Sequence, residues 1–163
     1  MSGWRIVPLP DSRIPEAWPL VRLRYPCWTL DTWLGEARTL LDDDEPSGIL
    51  CAETGGGYIY ALCAYAKRGC ARGGDQMALP IVANVRWNLT DDPLERILSE
   101  VETIARSEGC GCIATAGGAI AAATDTARWE QLGYRWLGEV FRKKLPAAGQ
   151  LPAARDPRCS ICL

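Results

Sequence analysis

Acidic, phenolic, thiol and amine groups must carry whatever acid–base chemistry this 163-residue chain performs, because it contains no histidine. That absence removes histidine-activated serine or cysteine nucleophiles, imidazole metal ligation and imidazole acid–base work. Proton transfer is left to Asp, Glu, Tyr, Cys, Lys or a terminus. The densest constellation is WNLTDDPLERILSEVE, residues 87–102, where a strand-like run gives way to an amphipathic helix. A helix start presents backbone N–H groups without intrahelical partners and so attracts anions. This one carries Asp91 and Asp92, so the chain's own carboxylates compete for that seat.

Cysteine is the other reactive type. Eight cysteines at scattered spacings, without an evident export signal, read as reduced thiols. Cys27, Cys51, Cys63 and Cys112 read as small buried hydrophobes. Cys159 and Cys162 form a C-x-x-C, with Cys110 and Cys112 as further thiolates. The second C-x-x-C of a zinc site is missing, and no metal is expected.

These residues need a scaffold, and composition bounds its size. With 48% of its residues hydrophobic, the chain can fill one core but hardly two, which predicts a domain over residues 1–145 and a tail over 146–163. The tail, rich in Pro and Ala without periodicity, reads as disordered or ordered only on contact. A net charge of −2 gathers neither nucleic acid nor an anionic membrane surface, and neither is expected as a partner. No apolar run approaches the roughly 18 residues that span a bilayer, and no signal peptide is evident, so a cytoplasmic location is expected.

The spacing predicts a first strand over 4–8 and a helix over about 15–24, with Pro19 kinking or restarting it. A second helix follows Thr29 as cap, with Leu30, Trp33, Leu34, Ala37, Leu40 and Leu41 at helical spacing. Residues 48–66 read as a hairpin around Gly55, Gly56 and Gly57, which form a turn, since no helix follows them to make a phosphate cradle. From Leu79 an alternating strand places Leu79, Ile81, Ala83, Val85 and Trp87 on one face, and Pro80, Val82, Asn84 and Arg86 on the other. Asp92 as cap, Pro93 as first residue and Glu95 then resemble a capping box, and Gly109 closes the helix. A strand over 110–116, a short helix capped by Asp125, and a strand from Tyr134 bending or bulging at Gly138 complete the order. Strung together, these make an α+β fold (α/β in the broad sense): a mixed, mostly antiparallel central sheet with helices on both faces.

That order, with LERILSEVETIARSEGCGCI and RWEQLGYRWLGEVFRKKL, resembles the GNAT superfamily of acyl-CoA N-acyltransferases over about residues 4–145. The resemblance implies that the strand before the long helix and the strand after it part, that pantetheine pairs with backbone in the gap, and that a Q/R-x-x-G-x-G/A loop holds the pyrophosphate. In this chain the motif's arginine falls on Leu89 and its glycines on Asp92 and Leu94. A carboxylate about 4 Å from a phosphate opposes it by a few kcal/mol at intermediate dielectric, so the loop reads as degenerate. The tyrosine with which family members protonate the departing thiolate corresponds to Trp129, which cannot do so. An asparagine used by some members falls near Ala122.

The resemblance therefore implies acetyl-CoA or another acyl-CoA, held by Asn84, Val85, Arg86 and Trp87, with Thr90 and Leu94 in the loop. Lys67, Arg68 or Arg72 can supply charge for phosphates, or simply line a solvated loop. Glu53 and Asp125 are candidate bases, against readings as a solvated strand end and a helix cap. Tyr134 is a candidate displaced acid, against a packing role. Tyr25 and Trp28 fall near the acceptor groove, and Arg86 can bind a substrate carboxylate or pair with Asp91 or Glu95. Two functions compete. One is an N-acyltransferase, in the simplest case an acetyltransferase, acting on a small-molecule or peptide amine, with a homodimer compatible. The other is a noncatalytic module of the same fold that binds a ligand or protein.

Overall fold

The computed structural model describes residues 3–70, 73–85, 92–115, 126–138 and 140–146. Strand β1 (Arg5–Pro8) leads into a 3-10 segment, Asp11–Ala17, and then α1 (Trp18–Arg24). The single helix expected over 15–24 is thus two pieces. Pro19 lies in the first turn of α1, where the missing N–H is harmless, so it restarts the helix. Helix α2 (Leu30–Leu41) is capped by Thr29, whose hydroxyl accepts from Thr32 N at 3.1 Å.

Next come β2 (Ser47–Glu53), β3 (Ile59–Gly69), β4 (Asp75–Asn84) and α3 (Pro93–Ser107). The described chain ends with β5 (Cys112–Thr115), α4 (Thr126–Gln131), β6 (Arg135–Trp136) and β7 (Phe141–Lys144). The seven strands form one sheet in the order β1-β2-β3-β4-β5-β7-β6. Only β4 and β5 run parallel, joined by the crossover through α3; the other neighbours are antiparallel. The last expected strand is instead a hairpin, because Gly138 adopts φ +93° and Leu137 N donates to Val140 O across a turn. Of the expected tail only Pro146 is among the described residues.

Two apolar layers cover the sheet. On one face Leu94, Ile97, Leu98, Val101 and Ala105 of α3 pack against Leu50, Ala52, Cys63, Met77, Leu79 and Val82. On the other, Ile14, Val21, Trp33 and Ala37 pack against Ile49, Cys51, Leu62, Ile81 and Ala83. Each fully covered aliphatic side chain contributes roughly 1.5–3 kcal/mol. Cys51 and Cys63 are buried as expected, whereas Cys27 is exposed in the α1–α2 connection and Cys112, at the start of β5, is only partly covered.

The membership of these layers corrects the alternation read from Leu79 onward. Leu79 faces α3, yet Ile81 and Ala83 face the opposite layer. The cause is a bulge. Ala64 pairs with Ile81 but Ala66 with Ala78, so Leu79 and Pro80 together oppose the single residue Tyr65. Proline has no N–H to donate to a ladder, and a bulge is where a strand tolerates it. The β4–β5 ladder runs from Gln76↔Cys112 to Leu79↔Thr115, so the bulge begins where that ladder ends among the described residues.

Candidate functional site

Past the bulge, β4 has a bonding phase that one hydrogen bond fixes. Val85 N donates to Tyr60 O at 2.9 Å, so the backbone of Val85 faces β3. Two-residue alternation turns Val82 and Asn84 the other way, toward the side on which β5 pairs with residues 76–79. The Val82 backbone confirms this phase: its N–H donates to the Tyr25 hydroxyl at 3.2 Å, and that hydroxyl donates to Val82 O at 3.5 Å. Of the expected cofactor-pairing residues, Asn84 therefore turns its main chain away from β3, and Val85 turns its N–H toward β3. Arg86, Trp87 and Thr90 lie outside the described residues. Val82 was missed by sequence reasoning, and Pro80 within a strand pattern was the signal that would have found it.

The start of α3 follows β4 closely in sequence. Asp92 caps it, one carboxylate oxygen accepting from Leu94 N at 2.9 Å. The other oxygen accepts from Arg128 Nε at 3.2 Å and Nη2 at 2.8 Å, and the same guanidinium reaches Glu95 at 3.2 Å. The expected cap is present, but Glu95 is engaged by Arg128 of α4. Leu94, expected to serve a cofactor, has its N–H bound to Asp92 and its side chain in the core. An anion arriving at that N–H has to displace a carboxylate that a neighbouring arginine already neutralises.

The candidate acid–base groups occupy different surroundings. Glu53 is only 3% exposed, not the solvated strand end expected as its alternative reading. It accepts from Arg13 Nη1 at 2.8 Å and from Arg5 Nη2 at 2.6 Å, and Arg13 also donates to Gly57 O at 2.9 Å. The Arg13 bond above all, then Arg5, holds its carboxyl below the usual carboxylate range against the opposing effect of desolvation. A carboxylate so occupied has little affinity for a proton from an amine. Replacing Glu53 by Gln is expected to lower the melting temperature by a few degrees at neutral pH. Because the folded-state pKa is depressed, that contribution is complete above the unfolded value near about 4.3 and disappears as the pH falls below it. Thermal melts of both proteins between pH 3 and 7 should therefore converge at the acidic end.

Tyr134 is 2% exposed, edge-on to Trp129 with centroids 4.9 Å apart, and the Lys143 ammonium lies 5.5 Å from its ring centroid. Its hydroxyl has no hydrogen-bond partner among the described residues, and burial pushes its pKa up. Trp129, which the sequence resemblance aligns with the family's acid, is buried and stacked on Phe141. Tyr25 and Trp28 do come together, stacked at 4.6 Å with 23° between planes, and burial raises the Tyr25 phenol. Asp125 lies outside the described residues.

Lys67 and Arg68, considered as phosphate partners, belong to the far end of the structure. Lys67 pairs with Asp75 at 3.1 Å and donates to Glu108 O just past the C-terminus of α3, while Arg68 pairs with Asp43 at 2.6 Å. The 15 residues of α3 separate them from its N-terminus by roughly 22 Å. Arg72 and the Cys159/Cys162 pair lie outside the described residues. Among those described, no three His, Cys, Asp or Glu side chains cluster as metal ligands, and no helix is long and apolar enough to cross a membrane.

No protein-family model matches the sequence, and no curated protein sequence matches it either. Solved structures do resemble it. An aminoglycoside 6'-N-acetyltransferase from Acinetobacter baumannii superposes with a TM-score of 0.69 at 20% identity, over 82% of this chain and 92% of that one. A GNAT family N-acetyltransferase from Escherichia coli in complex with CoA gives 0.63 at 14%, over 88% and 82%. An N-acetyltransferase from Thermoplasma acidophilum in complex with coenzyme A gives 0.64 at 11%, over 88% and 99%. The mixed seven-stranded sheet with helices packed on both faces is a fold shared with these N-acetyltransferases. This chain has the GNAT fold.

Proposed function

We propose that this protein is an acyl-CoA-dependent N-acyltransferase, in the simplest case an acetyltransferase, acting on an amine of a small molecule or peptide. The observation that carries this reading is the phase of β4 past its bulge, where Val82 and Asn84 turn backbone groups away from β3 and Val82 meets only a phenol, not a strand, among the described residues. An extended pantetheine arm can pair with such an edge as an added strand does. The acyl-CoA, a substrate here, supplies an activated thioester. The amine nitrogen attacks its carbonyl carbon, a C–N bond forms, the C–S bond breaks, and the departing thiolate takes up a proton lost by the nitrogen. On this reading Val82 N–H, once the Tyr25 hydroxyl has left it, donates to the carbonyl oxygen as negative charge develops on it. The stacked Tyr25 and Trp28 offer an aromatic wall to the acceptor.

A second reading, a noncatalytic ligand- or protein-binding module, is favoured by the groups already committed elsewhere. Asp92 fills the helix start, Glu53 is held by two arginines, and Trp129 is core. Thermal melts with coenzyme A and acetyl-CoA separate the two. At a ligand concentration of about 100 times Kd, binding should stabilise the protein by roughly 2.7 kcal/mol, and turnover of amine panels can then be assayed. No change in melting temperature at millimolar coenzyme A leaves the noncatalytic reading standing.

A further inference from the structure

Tyr25 is 57 residues from Val82 in sequence, yet its hydroxyl meets both main-chain groups of that one residue. Those groups lie just beyond the Leu79–Pro80 bulge, on the side away from β3. An edge N–H and C=O that a β-ladder would ordinarily satisfy are instead satisfied by a phenol from the α1–α2 connection. The ring is held there by its stack on Trp28.

We propose that Tyr25 is a built-in placeholder: its hydroxyl occupies the position on β4 that a ligand's amide or thioester carbonyl takes, and must leave when that ligand binds. This rests on the acyl-CoA reading and extends it, because the tyrosine makes cofactor binding and the acceptor side a single event. A phenol that releases Val82 moves with Trp28 and the residues between them, which lie along the wall assigned above to the acceptor. Occupancy of the β4 edge thereby reshapes the acceptor's seat. Keeping the edge bonded before the ligand arrives avoids two unsatisfied backbone groups, and the bonds at 3.2 and 3.5 Å are long enough to be given up readily.

Tyr25→Phe removes the hydroxyl and keeps the ring on Trp28. Coenzyme A titrated calorimetrically into both proteins should bind the variant about five-fold more tightly, the equivalent of losing one modest competing hydrogen bond. In the same samples without ligand, the Val82 amide should exchange with deuterium faster in the variant than in the wild type. Wild-type binding accompanied by equal or weaker binding of the variant overturns the placeholder and leaves the acyl-CoA reading intact. Equal exchange at Val82 also overturns it, by denying the contact. Failure of both proteins to bind coenzyme A removes the acyl-CoA reading and the placeholder with it.

Discussion

Asp92→Asn should tighten coenzyme A binding by about ten- to a hundred-fold. The aspartate's carboxylate holds Leu94 N at the start of α3, where a pyrophosphate would seek the same donor. A fixed negative charge a few ångströms from a phosphate opposes it by ~1–4 kcal/mol at the effective dielectric of a protein surface, and each ~1.4 kcal/mol is a factor of ten. Asparagine caps helices about as well as aspartate, so the fold should be spared while the charge is removed. The substitution also removes one of the two carboxylates paired with Arg128, which keeps Glu95 and whose planar guanidinium suits phosphate oxygens. Adding Arg128→Ala should then erase much of the gain, and raising the salt concentration should shrink it. Calorimetric titration of the wild type and both variants checks each step; an affinity unmoved by Asp92→Asn would mean that phosphates never approach this helix.

Trp33→Ala should produce the largest loss of stability. Its side chain is fully buried between the 3-10 segment, α2 and the sheet, and its indole N–H donates to Ile14 O at 2.8 Å. Truncating a buried tryptophan costs ~3–5 kcal/mol, and here it also orphans a buried carbonyl. For a chain of this size the melting temperature should fall by about 10–15 °C. Trp33→Phe separates the two causes: it keeps most of the packing and loses only the bond, so its loss should be closer to ~1–2 kcal/mol. Because α1 and α2 flank the connection that carries Tyr25 and Trp28, the alanine variant should disturb that connection as well as the core.

What the sequence made legible were features written in neighbouring residues. Thr29 before an apolar stripe, and Asp92–Pro93 before another, marked helix starts that the structure has at those residues. The meander and the parallel crossover followed from element order alone. Contacts between distant residues were not legible. Glu53 read as a solvated strand end because its partners, Arg5 and Arg13, lie 48 and 40 positions away. Arg128 gave no sign that it would reach back 36 positions to Asp92. Gly138 was seen, but a glycine with positive φ serves a bulge and a tight turn equally, and only pairing of Trp136 with Phe141 decides for the turn. The strand from Leu79 failed differently: Ile, Val and Ala fit either face, so one extra residue left no trace in the alternation.

That extra residue also dictates where the chain can change length. Downstream of Leu79–Pro80 every side chain of β4 owes its orientation to the two-against-one pairing with Tyr65. Deleting either would trade Ile81 and Ala83 into the layer beneath α3 and thrust Val82 against Val21 and Trp33, exchanging the contents of both cores at once. The hairpin tip over 54–58 sets no such alternation, so an inserted residue should be tolerated there and not at the kink in β4.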